Sequence, residues 1–147
     1  MKSEPDVFSI DDLKKNKTTL WEGVRNYQAR NSMQSMQIGD AVLFYHSSSD
    51  PAGVAGLAVV NKTAVPDPTQ FDKKSEYYDP KATKEKPRWF CPEVKFVTKF
   101  PQVFTLAQIK ADKKLAKMVV VQKGSRLSVQ PVSQEDFEYL HKLALNA

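Results

Sequence analysis

Ala41-Val42-Leu43-Phe44-Tyr45-His46 is an unbroken, mostly apolar run of strand length, launched by the turn pair Gly39-Asp40. Such a run reads as a buried strand. Ser47 to Gly53 follows as a hairpin-sized loop of small residues, Asp and Pro. Val54 to Val60 then returns as a second strand, with Gly56 inside it. Glycine within a strand marks a bulge or the close approach of another group. The two segments together predict a β-hairpin.

Upstream, Ser9-Ile10-Asp11-Asp12 opens a short helix, with a hydroxyl cap and an acid three positions on. Ile10 and Leu13 face inward, and Asn16 stops it. Asn26 to Met36 reads as a polar helix whose apolar contacts are Tyr27, Met33 and Met36. Downstream, Ala64 to Arg88 is rich in Pro, Asp and Lys and carries Phe71, Tyr77 and Tyr78. A connection this long without secondary structure of its own is uncommon, and its aromatics predict an ordered flap. Trp89 to Phe100 alternates as a strand, with Phe90, Val94, Phe96 and Val97 as core candidates and Pro92 at an edge or bulge. Thr105 to Ile109 opens a short capped helix, and Leu115 to Val121 follows a polar break. Leu127 to Gln130 alternates as a last short strand, halted by Pro131. Ser133 caps a final helix presenting Phe137, Leu140, Leu143 and Ala144 at helical spacing. Strands in the middle and helices at the ends and crossovers predict an α+β fold with a small curved sheet or barrel.

A chain of 147 residues, 27% charged and 10% aromatic, is expected to form one domain over 1–147. The single cysteine, Cys91, excludes an internal disulfide framework, fits a reducing compartment and reads as a small buried filler. No apolar run approaches the ~20 residues of a membrane span, and Met1-Lys2-Ser3-Glu4-Pro5 has no signal-peptide core. The expectation is a soluble intracellular protein, cytoplasmic, or nuclear in a eukaryote, with no membrane partner. The formal net charge of +5 permits nucleic-acid binding and is equally compatible with a solvated basic surface.

His46, His141 and Cys91 lack the spacing of a zinc site, so no metal and no cofactor are expected. No phosphate-binding glycine loop, dinucleotide fingerprint or Gly-x-Ser-x-Gly elbow occurs. Gly124-Ser125 lacks the second glycine and the Lys-Ser/Thr pair of a phosphate loop. Asp11 and Asp12 are explained by a helix start, and His46 by a strand end. No recognisable catalytic motif remains. Trp21-Glu22-Gly23-Val24-Arg25-Asn26-Tyr27-Gln28-Ala29-Arg30-Asn31 is more informative, because it interleaves aromatics with Arg, Asn and Gln. Two readings stand. Trp21 is core and Tyr27 packs a helix, or an aromatic face stacks a base whose edge Asn or Gln reads.

The Lys2-Ser3-Glu4-Pro5-Asp6 block, Trp21 to Asn31, Gly39-Asp40 through Phe44-Tyr45-His46-Ser47, Tyr78-Asp79-Pro80, Pro87-Arg88-Trp89 and Arg126 to Val132 resemble, in order, the EVE domain. The resemblance implies a PUA-like fold, a small mixed β-barrel with flanking helices. It also implies kinship with YTH domains, which read a methylated adenine through an aromatic cage, and recognition of a modified nucleobase. Members of that family carry a few apolar residues before the Lys-Ser-Glu-Pro block. The first strand is therefore expected to be short at its N-terminal end, or the start site to lie upstream. Carried over by position, Ser3 and Trp21 match elements beside the YTH pocket, and Asn26 follows as the group reading the base edge. Tyr77 or Tyr78 supplies a second cage wall. Val24, Arg25, Tyr27, Arg30, Tyr45, His46, Arg88, Trp89, Ser128 and Gln130 are expected around the same cavity.

The function expected is a non-catalytic module that binds nucleic acid, DNA or RNA, carrying a modified base. Two alternatives remain open: an enzyme using Glu4, His46 or Asp79, and a pocket for a free nucleoside or metabolite.

Overall fold

The computed structural model of the chain describes residues 1–123 and 127–146, so Gly124-Ser125 and Arg126 lie outside the described residues. Its strands are β1 (Lys2–Ser3), β2 (Thr18–Leu20), β3 (Ala41–His46), β4 (Gly53–Pro66) and β5 (Phe90–Thr105). They form one sheet in the order β1-β3-β4-β5-β2, antiparallel except where β1 runs parallel to β3. The hairpin read from the sequence is β3 with the first half of β4.

Both faces of the sheet are covered. Val42 and Phe44 of β3 enter one core with Ile10, Leu13, Trp21 and Met33. Leu43 and Tyr45 enter the other, with Phe100, Phe104, Ile109 and Leu140. A strand buried on two sides needs apolar side chains at successive positions, which is why Ala41 to Tyr45 does not alternate. Gly56 answers both halves of its expectation. The register of β4 against β5 shifts between Val54 and Gly56, and a Cβ there would stand 2.4 Å from the Thr98 carbonyl oxygen and 2.9 Å from Ile10 Cγ1.

Local chemistry starts the helices where the sequence places them. α1 (Ile10–Asn16) carries a reciprocal Ser9–Asp12 capping box, and α3 (Leu106–Ala111) carries one between Thr105 and Gln108. α4 (Gln134–Leu145) is capped by Ser133. α2 is Tyr27–Gln34, shorter than expected at both ends, because Asn26 is its cap: Asn26 Oδ1 accepts from Ala29 N–H at 2.9 Å. α1 and α2 cover one face of the sheet, α3 and α4 the other.

Several expectations are corrected. Leu127 to Gln130 is not a strand. Gln130 Nε2 donates to the Leu127 carbonyl at 2.8 Å, closing a local turn in place of a ladder, and the Ser128 carbonyl accepts from Lys2 N–H of β1 at 2.7 Å. Val97 is 51% exposed and outside the core. Thr18 and Thr19 lie in β2, where β-branching suits the pleat. The flap is shorter than expected. β4 continues to Pro66, and a 3-10 turn, Pro68–Phe71, follows at once. Pro92 lies opposite the register shift between Lys62 and Val65, so it is the bulge of its expectation and not the edge.

A flat sheet would hold β1 and β2 about 19 Å apart, four strand spacings. Here Lys2-Ser3 and Thr19-Leu20 line the same cavity, so the sheet curls and its two edges form the sides of an open mouth.

Candidate functional site

That mouth opens on a cavity of about 650 Å³. β1 contributes Ser3, and the stretch from β2 into α2 contributes Trp21, Glu22, Gly23, Val24, Arg25 and Asn26. Tyr77 and Ser128 complete it from the flap and the segment before α4. Trp21 satisfies both readings in part. It is 8% exposed and packs edge-on against Phe44 at 5.4 Å, so most of the indole is core and only its remaining edge meets the cavity. Ser3 Oγ donates to the Phe8 carbonyl at 2.6 Å, fixing the loop beside it. Asn26 spends its Oδ1 on the α2 cap, and its Nδ2 has no partner among the described residues.

The aromatic wall is Tyr77, and a buried network holds it. Asp67 is 2% exposed and accepts from Gly23 N–H at 2.7 Å, Thr69 N–H at 2.8 Å, the Thr69 hydroxyl, and Arg25 Nη1 at 3.1 Å. Burial alone would raise the Asp67 pKa. The Thr69 hydroxyl, the Gly23 N–H, Arg25 and the Thr69 N–H together outweigh it and hold the carboxyl below its ordinary value. Arg25 also donates to the Tyr77 carbonyl at 2.7 and 3.0 Å and lies over the Tyr77 ring at 5.5 Å. Gly23, at φ +83°, lets that ring sit against the backbone, since a Cβ there would stand 2.8 Å from Tyr77 Cε2. Behind this wall Gln70, fully buried, donates to the carbonyls of Asp67 and Trp89 and accepts from the N–H groups of Arg88 and Trp89, all at 2.8–3.0 Å.

Tyr27, Arg30, Arg88 and Trp89 form a stack beside the cavity. Trp89 lies under Arg25 at 5.0 Å, Tyr27 stacks on Trp89 at 4.9 Å, and Arg30 covers Tyr27 at 4.7 Å. Arg88 donates to the Tyr27 hydroxyl, and Trp89 Nε1 donates to Asp79 Oδ2 at 2.8 Å. Arg30 is held by neutral acceptors, the Arg88 carbonyl and Asn31 Oδ1, and has no carboxylate partner among the described residues.

The structure places the other expected residues elsewhere. Tyr45 is buried in the core on the opposite face of the sheet. Tyr78 does not line the cavity; its neighbour Tyr77 does. Gln130 lines a second cavity, of about 590 Å³, between α2 and α4. His46 Nε2 accepts from Ile10 N–H at 3.1 Å and so serves the start of α1. Burial first, and Lys99 second, lower its pKa against an opposing contribution from Asp11. An NMR titration is expected to give a midpoint for the His46 ring below its ordinary 6.5, with the Ile10 amide following it; a midpoint above 6.5 would contradict this bond. Neither Glu4, His46 nor Asp79 is among the residues lining the cavity. Burial pushes the Cys91 thiol up to about 12, which keeps it protonated. No cluster that could hold a metal ion occurs among the described residues, and no helix among them is long and apolar enough to cross a membrane.

Sequence reasoning missed Asp67, Gln70, Gly23 and Glu22. The one available signal for Asp67 and Gln70 was the Asp-Pro-x-Gln spacing in the flap, an acid capping a turn that starts with proline.

Fold and site together define a small α+β protein built around an open cavity at the edges of a curled sheet. The chain belongs to the EVE domain family, whose pattern matches residues 1–143. It is similar to thymocyte nuclear protein 1 of Gallus gallus, 40% identical over an alignment of 161 positions that takes in 97% of this chain and 66% of that protein. The chain thus spans about two thirds of the length of that relative. Among solved structures, a protein of Leishmania major superposes with a TM-score of 0.93 at 52% identity, over 99% of this chain and 92% of that one. Human THYN1 in complex with DNA containing 5-methylcytosine superposes with a TM-score of 0.91 at 40% identity, over 98% of this chain and 95% of that one.

Proposed function

We propose that this chain is a nucleic-acid-binding module that takes one modified base, of the 5-methylcytosine kind, into the cavity between β1 and β2 and performs no chemistry on it. The observation that carries this reading is Tyr77, a partly exposed ring fixed against Gly23 and under Arg25 at the cavity wall. Its cavity volume lies within the range of small-ligand sites. Phe8, Leu20 and Val24 supply apolar surface for a methyl group, and Asn26, Ser3 and Ser128 supply polar groups for a base edge. The relative seen with DNA containing 5-methylcytosine supports the same ligand class.

Extruding a base costs a few kcal/mol, least when it is already single-stranded. Stacking on an aromatic returns about 1–3 kcal/mol. A buried methyl adds about 0.8 kcal/mol, so the methyl alone is worth about a four-fold preference. Arg30, held by neutral partners beside the cavity, is placed to meet phosphates and give the binding its salt dependence. Tyr77→Ala is expected to weaken binding of a 5-methylcytosine oligonucleotide about 5- to 100-fold in a fluorescence-anisotropy titration, with the fold intact by circular dichroism. Parental affinity in that variant would remove Tyr77 from the site.

A further inference from the structure

Glu22 stands in the cavity wall four residues before Asn26, and it has no hydrogen-bond or ion-pair partner among the described residues. Its chain neighbours are both committed. Trp21 is packed on Phe44, and the Gly23 N–H is bound to Asp67. Asn26 has given its oxygen to the α2 cap and keeps a donor, Nδ2. The cavity therefore presents the Glu22 carboxylate as an acceptor and the Asn26 amide as a donor, beside the Lys2 ammonium and the Ser128 hydroxyl. A carboxylate facing position 4 and an amide N–H facing position 3 complement the amine donor and ring-nitrogen acceptor of cytosine, an order that thymine reverses.

The chemistry of the ligand class makes such a pair necessary. 5-Methylcytosine and thymine share the C5 methyl and the ring outline. They differ along the pairing edge, where cytosine offers a position-4 amine donor beside a ring-nitrogen acceptor and thymine a position-4 carbonyl acceptor beside a ring N–H donor. A cavity that read only shape and methyl would hold both, and thymine is abundant in all DNA. An ionised carboxylate accepts from the amine and repels the carbonyl oxygen. We propose that Glu22 reads the exocyclic amine of the inserted base and so restricts the cavity to cytosines and excludes thymine. This rests on the base-binding reading above.

The test is anisotropy titration of three single-stranded oligonucleotides identical except for one position, which is 5-methylcytosine, thymine or cytosine. The parent is expected to bind the 5-methylcytosine probe about ten-fold or more tightly than the thymine probe. Glu22→Gln keeps the side-chain shape but adds a donor that can meet the thymine carbonyl. It is expected to bring that ratio to within about two-fold, on the same bidentate logic, while the ratio of 5-methylcytosine to cytosine stays at the parental value. Glu22→Asp keeps the carboxylate and is expected to keep the preference against thymine. The inference is overturned if Glu22→Gln retains the parental discrimination, or if the parent binds thymine as tightly as 5-methylcytosine. Failure of the base-binding reading itself looks different, because the parent would then also fail to separate 5-methylcytosine from cytosine.

Discussion

Asp67→Ala is expected to lower the unfolding free energy by about 3 kcal/mol or more and to loosen the cavity wall in the same step. The substitution strands Arg25, whose guanidinium sits 3.1 Å from Asp67 Oδ2, and leaves the Gly23 N–H and the Thr69 hydroxyl without their acceptor. At this chain length the loss corresponds to a melting temperature roughly 6–12 °C lower. Asp67→Asn keeps an acceptor of the same shape and is expected to fall between the parent and the alanine variant. The pH dependence has a definite sign. The Asp67 carboxyl is held below its ordinary 3.8, so its contribution is fully present above that value and is lost as the pH falls through the lowered one. Circular-dichroism melts at pH 7 and below pH 4 check both statements. A variant melting within about 1 °C of the parent at pH 7 would show that the wall stands without Asp67.

Gln70→Leu carries the second large effect. The side chain is fully buried and makes four hydrogen bonds to main chain, and it ties the two ends of the flap together across 19 positions of sequence. Leucine fills similar space but returns nothing to the Arg88 and Trp89 N–H groups. Each buried donor left unpaired costs about 1–3 kcal/mol, so a loss on the order of 3 kcal/mol is expected. The loss is local as well as global. The Trp89 amide is expected to exchange with solvent at least ten-fold faster in native-state hydrogen exchange, given a local loss of about 1.4 kcal/mol or more. Unchanged exchange at Trp89 would contradict the role given to Gln70.

How far the sequence revealed these features follows from the range of the interactions involved. Capping boxes and turns are encoded within four residues, so Ser9–Asp12, Thr105–Gln108 and Ser133 mark their helices directly. The strand β3 is legible because two covered faces demand continuous apolar side chains. The Trp21 to Asn31 block announces the site through its unusual mixture, and Trp21, Val24, Arg25 and Asn26 do line the cavity. Asp67 and Gln70 look like solvated loop residues, because their partners Gly23, Arg25, Arg88 and Trp89 lie 18 to 44 positions away and only the fold brings them together. Tyr77 and Tyr78 are indistinguishable in sequence. What separates them is Gly23, where any Cβ would stand 2.8 Å from the Tyr77 ring. Leu127 to Gln130 alternates like a strand, but the Gln130 side chain takes up the Leu127 carbonyl and turns the segment away from the ladder.

The central claim is that the cavity between β1 and β2 binds a modified base within a nucleic-acid strand. Anisotropy titration of matched single-stranded oligonucleotides, with 5-methylcytosine or cytosine at one position, tests it most directly at two salt concentrations. The account predicts that the methylated probe binds about four-fold more tightly or better. It also predicts that both affinities fall as salt rises, because phosphate contacts release counterions. Equal affinity for the two probes at both salt concentrations would contradict it.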